Sequence, residues 1–372
     1  MPKVSTSDLQ SYLAETGEAL GFKSTVETTL LDVDDYSPRH DVVWRLPLGR
    51  LLPRSLAQRL LDSPKHPWLD LLGNLPIAAF ETEGATTSSK NQLGNFANLY
   101  SSPALFGFAV VDNAGAGKEN DTYRRGVRIA RSFRQMLGTK PVFFLDRKQL
   151  LGADLPDRRV SKAVVPDAEA GCAPIRKGAG GETTSADIAS RLFKVLAGSS
   201  LRIDRDYQPP QMEWAYSVVR KLKDILPRQK GTDYLLGRRA TWDPVLGMTD
   251  VIKKAGDYFY IPKIDIMLSF PLPPAFTAWL RNLGHAIGQD SWNYPLLFHL
   301  VENPSLELRC PLVAIEIETG ASKHANGGII NMAHNAFMGL LFGHIGAEPH
   351  LDMLKRELGL GNVFFRDADR AF

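Results

Sequence analysis

The chain has 372 residues, of which 44% are hydrophobic, and this length allows two ordinary domains that each have a core. The net charge of +3 is too small to indicate a nucleic-acid partner, although basic residues can still cluster locally. No stretch approaches the roughly 18 apolar residues of a membrane span, and the N-terminus lacks the apolar core of a signal peptide. Cys172 and Cys310 form no metal-binding pair and favour a reducing compartment, so a cytoplasmic protein is expected.

The first part of the chain alternates between helical and strand-like patterns. Helices are predicted where apolar residues recur at helical spacing, and strands where β-branched or continuous apolar runs are bounded by Gly or Pro. In chain order the predicted elements are a helix over 9–20, strands over 24–31, 41–46 and 76–82, a helix over 91–100, a strand over 105–111, a helix over 123–137 and a strand over 142–145. This order predicts an α/β fold with a mixed sheet.

The middle of the chain, residues 151–240, is less regular. The stretch 166–185 is rich in Gly, Ala and Pro and is typical of a linker or a long loop. Helices are predicted over 186–196 and 214–226, and no motif of this region indicates a chemistry. The sequence therefore predicts a linker and helical region here.

The second half of the sequence repeats the first. Residues 38–42 (PRHDV) match 262–266 (PKIDI), and both are followed by Pro-Leu at the same offset. Further matches in the same order are 76–83 (PIAAFETE) with 311–318 (PLVAIEIE), the Ser-Lys pairs 89–90 and 322–323, the Asn-x-Ala segments 95–97 and 331–333, and 142–146 (VFFLD) with 363–367 (VFFRD). Five matches in one order predict two copies of a single module, over 1–150 and 241–372, on either side of the middle region.

Acidic residues recur at equivalent places in the two copies. Asp41 begins a predicted strand, and Glu81 and Glu83 lie two residues apart on the next strand, so both glutamates project to one face. The second copy has Asp265, Glu316 and Glu318 in the same arrangement. Oxygen ligands that converge from adjacent strands suit a hard divalent cation such as Mg²⁺. Such a cation assists the hydrolysis of phosphodiesters.

This constellation resembles the PD-(D/E)xK nuclease superfamily, which includes many type II restriction endonucleases. The family has an acid at the head of one strand of a hairpin and an acid-x-lysine pair on the next, and the order of elements also agrees. The resemblance implies a restriction-endonuclease-like core, duplicated in one chain, with one or two Mg²⁺ ions per site. The implied metal ligands are Asp41, Glu81, Asp265 and Glu316.

The sequence departs from the family pattern at the lysine of the motif. Glu83 and Glu318 occupy that position, and glutamate cannot stabilise a developing anion as lysine can. Lys90 and Lys323 follow in the two copies and are candidates to supply the missing cation. The implied catalytic set of each copy therefore contains an aspartate, two glutamates and a lysine.

Each acidic feature also has an ordinary structural explanation. A Glu-x-Glu pattern on a strand is commonly a solvated edge face, but here the apolar runs PIAAF and PLVAI precede the acids, which indicates that they end buried strands. Buried carboxylates without a metal or a partner are costly. His40 directly precedes Asp41, but its counterpart is Ile264, so a catalytic role shared by both copies is not expected for His40.

Contact with nucleic acid has separate support in the helix predicted over 123–137. Arg124, Arg128 and Arg131 lie together on the face opposite its apolar residues, and a row of arginines can neutralise successive phosphates. A solvated helix face is the alternative.

The sequence predicts a metal-dependent endonuclease that hydrolyses double-stranded DNA, of the restriction or defence kind. A duplicated chain could cut both strands as a monomer with an internal pseudo-two-fold axis, or it could form a homodimer. In a second hypothesis one copy cuts and the other binds DNA or stabilises the chain. In a third, the protein binds DNA without catalysis, and an RNA substrate also stays open.

Overall fold

The computed structural model describes most of the chain. The described residues are 6–30, 38–63, 65–66, 68–84, 87–111, 121–137, 141–156, 185–207, 240–243, 248–250, 264–288, 294–318, 323–343, 348–358 and 360–367. The helix predicted over 214–226 lies outside them. No helix of these residues is long and apolar enough to cross a membrane.

The first module is one mixed five-stranded sheet with helices on both faces. Its elements are α1 (Thr6–Ala19), β1 (Lys23–Thr29), β2 (Arg39–Pro47), α2 (Arg54–Leu61), α3 (Trp68–Gly73), β3 (Asn74–Glu83), α4 (Ser89–Ser101), β4 (Phe106–Val111), α5 (Asp121–Leu137), β5 (Val142–Asp146) and α6 (Arg147–Leu151). The strands lie in chain order; β1, β2 and β3 pair antiparallel, and β3, β4 and β5 pair parallel.

The second module has the same topology. Its elements are α7 (Ser185–Leu196), β6 (Arg202–Tyr207), β9 (Ile264–Pro271), α8 (Pro274–Ile287), α9 (Pro295–Glu302), β10 (Arg309–Glu318), α10 (Lys323–Asn335), β11 (Met338–Gly343), α11 (Glu348–Leu358) and β12 (Val363–Asp367). The sheet order is β6-β9-β10-β11-β12, with antiparallel pairing up to β10 and parallel pairing beyond it. Between β6 and β9, the short strands β7 (Ala240–Asp243) and β8 (Met248–Asp250) pair separately. The predicted duplicated α/β core with a mixed sheet is confirmed.

Part of the predicted linker region belongs to the second module. Helix α7 and strand β6 lie within 151–240, yet β6 pairs with β9 as β1 pairs with β2. The second module therefore begins upstream of residue 241, at residue 185 of the described chain. The strand was missed because β6 (RIDRDY) is a polar edge strand with half-exposed side chains and lacks an apolar run.

Close packing corrects the alignment of the helices that follow the acidic strands. A Cβ added to Gly107 of β4 would meet Leu99 and Val142, and one added to Gly339 of β11 would meet Met332 and Val363. Met332 therefore takes the place of Leu99. The Asn-x-Ala match, which equated Met332 with Phe96, was wrong by three residues, because similar residues recur at neighbouring turns of the helix.

The two modules share a core. One face of each sheet contributes to a single apolar cluster, which includes Val42, Phe80 and Phe108 of the first module and Ile266 and Ile315 of the second. The opposite face of each sheet has a separate cluster beneath its own helices, α4 and α5 in the first module and α10 and α11 in the second. This opposite face carries the acids, because their positions alternate with those of the shared core.

Each module inserts a pair of helices against the other module's sheet. Trp68, which begins α3, packs against Phe364 of β12 with ring centroids 5.4 Å apart. Tyr294, which precedes α9, packs against Phe143 of β5, also at 5.4 Å. Phe143 and Phe364 are both the second residue of the last strand. These contacts are reciprocal, as they are across the two-fold interface of a dimer.

Candidate active site

The acids of the first module meet where strand β3 ends. Val42 pairs with Phe80, and this register puts Asp41 beside Glu81. The Asp41 carboxylate accepts hydrogen bonds through Oδ2 from the backbone N–H of Thr82 at 2.6 Å and from the Thr82 hydroxyl at 2.7 Å. Glu83 lies two residues beyond Glu81 on the same face. The structure thus brings together the three acids that the sequence predicted.

The second module repeats the main-chain part of this arrangement. Ile266 pairs with Ile315, which puts Asp265 beside Glu316. Oδ2 of Asp265 accepts a hydrogen bond from the backbone N–H of Ile317 at 2.9 Å. In both modules the aspartate therefore binds the amide between the two glutamates, although Ile317 has no hydroxyl to add the second bond that Thr82 makes.

Glu81 is buried among other acids. It is 5% exposed. Burial raises the pKa of Glu81 to about 9, and the charges of Asp41 and Glu83 add to this effect, while a hydrogen bond with Asn98 opposes it. Nδ1 of the buried His40 lies 2.8 Å from Oε1 of Glu81. Without a cation beside it, Glu81 therefore favours its protonated form at neutral pH.

Glu83 has polar partners from the two helices that cover it. The Asn95 amide donates a hydrogen bond to Oε1 of Glu83 at 2.9 Å. Burial raises the pKa of Glu83, while Asn95, the nearby Gln92 and the charge of Arg125 oppose this rise. Arg125 in turn donates to Oε1 of Gln92 at 2.8 Å.

In the first module the cation that the structure places beside the acids is an arginine and not the predicted Lys90. Lys90 is exposed on the first turn of α4, and the cation that acts on the pKa of Glu83 is Arg125 of α5. Lys323 begins α10, but its side chain lies outside the described residues. The sequence could not indicate Arg125 because its place depends on how α5 packs across α4.

The second site is more open than the first. Glu316 and Glu318 are half-buried, whereas Glu81 and Glu83 are buried. Burial raises the pKa of Glu316 to about 8, with further contributions from Asp265 and Glu318. A Cβ added to Gly328 of α10 would lie 3.2 Å from the Glu316 side chain, so the helix backbone passes close to this acid.

The donor set of the first site suits a hard cation, although the described residues do not form a complete metal site. No three of their His, Cys, Asp or Glu side chains are placed to hold a metal ion. The carboxylate oxygens of Asp41 and Glu81 are nevertheless ligands of the kind that Mg²⁺ takes. Oε2 of Glu83 is buried and has no hydrogen-bond partner within the described part of the chain. Buried, mutually repelling carboxylates with an unused acceptor fit a divalent cation.

The arginine row of helix α5 lies on the same side of the first sheet as the acids. Arg124 and Arg128 are exposed, while Ala130 and Gly126 of the same helix are buried. The side chain of Arg131 lies outside the described residues. Because Arg125 of the first helical turn bonds to Gln92 beside Glu83, the row begins close to the acidic site.

Two groups of site residues were missed from the sequence. His40 was set aside because Ile264 replaces it in the second copy, yet its ring contacts Glu81. Gln92 and Asn95 lie three residues apart on α4, on the side that faces the acids. Their i, i+3 spacing after an acidic strand is a signal that could have indicated them.

Comparison with models of known protein families, with curated proteins and with solved structures finds no match for this chain.

Proposed function

We propose that the protein is a metal-dependent endonuclease of double-stranded DNA with a duplicated restriction-endonuclease-like core, of the restriction or defence kind. The observation that supports this proposal most is the repeated acidic geometry. In both modules an aspartate near the start of a strand binds the amide between two glutamates that end a buried strand. A solvated acidic edge without a function would not be expected to have this contact in two modules of different sequence.

The residues of each site have distinct roles in this proposal. Asp41 and Glu81 would hold the cation in the first module, and Asp265 and Glu316 in the second. A bound Mg²⁺ supplies positive charge to the phosphate and makes water more acidic. Glu83 is held by Asn95 and can accept a proton from the attacking water. Arg125 holds the Gln92 side chain next to Glu83 and contributes positive charge near the phosphate.

DNA would approach along helix α5. Arg124 and Arg128 are exposed on this helix, and the first turn of α5 is tied to the acidic site through Arg125. Arginines in such a row neutralise successive phosphates of the backbone. Because these arginines lie next to the acids, one bound duplex can contact the arginines and the acidic site together.

The reciprocal packing of the modules favours a substrate with two strands. Trp68 and Tyr294 make equivalent contacts in opposite directions between the modules. Duplex DNA has an approximate two-fold axis of its own, and a chain with the same symmetry can present one site to each strand.

Cleavage of supercoiled plasmid tests this proposal. The protein is incubated with Mg²⁺ or with EDTA, beside the variants Asp41→Asn and Asp265→Asn and the double variant. Asparagine keeps an oxygen that can accept the strand amide but removes the charge. We expect the wild type to produce linear DNA, each single variant to accumulate nicked circles, and the double variant to leave the plasmid intact. Mg²⁺-dependent linear product from the double variant would contradict the assignment of the acids.

A second candidate function has one cutting module and one supporting module. It is favoured by the hydrogen bonds that His40 and Asn95 make to the acids of the first site, at positions where the second module has Ile264 and Gly328. In that case Asp41→Asn alone abolishes all cutting, and Asp265→Asn leaves it intact. Salt-sensitive DNA binding without cleavage under any divalent cation would instead favour a DNA-binding protein without catalysis.

A further inference from the structure

A buried imidazole distinguishes the two acidic sites. His40 is 0% exposed, and its Nδ1 lies 2.8 Å from Oε1 of Glu81. The equivalent residue of the second module is Ile264, because each of the two directly precedes the strand aspartate. The acids and the strand amides are repeated in both modules, but this contact to the glutamate is not.

The contact restrains Glu81. When Glu81 is ionised, as a cation ligand must be, its oxygens can only accept, so the ring nitrogen 2.8 Å away donates and the tautomer with a proton on Nδ1 fits. The ring cannot turn away easily, since it is fully buried. One oxygen of Glu81 is therefore held in a fixed direction, and the second oxygen is oriented with it. The isoleucine of the second module cannot donate to Glu316.

We propose that His40 is a positioning residue that fixes the Glu81 carboxylate for a divalent cation, so that the first module binds the cation more tightly than the second. This inference rests on the proposed function, because it takes Glu81 as a ligand. Removal of a hydrogen-bond partner of a metal ligand lowers metal affinity by about 10–100-fold. We expect the two modules to differ by an affinity ratio within that range.

Titration of the full-length protein with Mn²⁺ in the absence of DNA tests the inference, with free Mn²⁺ measured by its paramagnetic resonance signal. We expect a tight and a weak class of site in the wild type. Asp41→Asn should remove the tight class, and Asp265→Asn should remove the weak one. This readout does not depend on cleavage.

Three substitutions then isolate the histidine. His40→Ile copies the second module and should weaken the tight class by about 10–100-fold. His40→Asn is the matched control, because the Asn Nδ2 can donate from nearly the place of Nδ1, and it should restore most of the affinity. Ile264→His should strengthen the weak class.

The outcomes separate the inference from the proposed function. If the wild type binds Mn²⁺ and cuts DNA but His40→Ile binds Mn²⁺ equally well, His40 has no positioning role and the proposed function is unaffected. Equal losses in His40→Ile and His40→Asn would also overturn the role, since they would reflect packing and not the hydrogen bond. A wild type that binds no Mn²⁺ in the presence or absence of DNA overturns both.

Discussion

Replacement of Glu81 by glutamine should stabilise the metal-free protein at neutral and alkaline pH while it abolishes cleavage by the first module. Glu81 is buried, and the charges of Asp41 and Glu83 lie beside it, so its ionised form is unfavourable in the folded state. Glutamine has nearly the same shape, and its oxygen can still accept a hydrogen bond from His40. The substitution therefore removes the charge and keeps the packing.

The sign and size of the effect follow from the pKa. Because the pKa of Glu81 is raised from 4.5 to about 9, the folded state binds the proton more tightly than the unfolded state. Stability from this group is fully present below the unfolded pKa and is lost as the pH rises toward the folded pKa. Each pH unit between these values lowers the free energy of unfolding by about 1.4 kcal/mol, which gives about 3 kcal/mol between pH 6 and pH 8.

Urea denaturation in EDTA at pH 6 and pH 8 measures this effect. From pH 6 to pH 8, we expect the free energy of unfolding of Glu81→Gln to rise by about 3 kcal/mol relative to that of the wild type. Glu18→Gln, an exposed position on α1, is the matched control and should follow the wild type. Mg²⁺ at pH 8 should stabilise the wild type more than Glu81→Gln, because the variant keeps only the site of the second module. Parallel pH profiles for the wild type and Glu81→Gln would refute the reasoning.

Three further predictions concern packing and DNA contact. Trp279→Ala should lower the free energy of unfolding by about 3–5 kcal/mol, because this side chain is 0% exposed in the shared core. A loss below about 1 kcal/mol in urea denaturation would contradict the packing of that core. In Gly126→Ala the new Cβ would clash with the ring of Phe144, and the substitution should cost about 1–3 kcal/mol of stability or more. In Gly94→Ala the new Cβ meets nothing within 4 Å, and the substitution should stabilise the protein by about 0.5–1 kcal/mol. Arg128→Ala should reduce the slope of log affinity for DNA against log salt concentration by about 0.9, and Arg128→Lys should leave this slope unchanged. Equal slopes in the wild type and both variants would rule out a phosphate contact by Arg128.

Much of the fold was predictable because it rests on local patterns. The buried strands PIAAF and PLVAI have continuous apolar runs, and their acids follow at equal offsets. Strand register then places each aspartate beside its glutamate without any further contact. The edge strand β6 was not predictable in this way, since its side chains stay exposed or half-buried and its sequence is polar.

The surroundings of the acids depend on packing between distant elements and could not be predicted. Asn95 and Arg125 reach the site from two helices that β4 separates along the chain, and no spacing in the sequence fixes how those helices cross the sheet. The internal repeat also misled, because comparison of the copies discounted His40, a residue whose contact exists in one module alone.

The two faces of each sheet differ in how freely one module can change without the other. The inner faces pack on one another. The ring centroids of Trp44 in the first module and Trp279 in the second are 5.2 Å apart, and those of Phe106 and Phe276 are also 5.2 Å apart. A change there affects both modules at once and costs several kcal/mol. Ile264 packs in the outer cluster of the second module and His40 contacts the outer acid Glu81, so these two positions could differ without disturbing the shared core. The shared core thus constrains both modules together, whereas each acidic face can change alone, and the proposed difference in cation affinity requires this freedom.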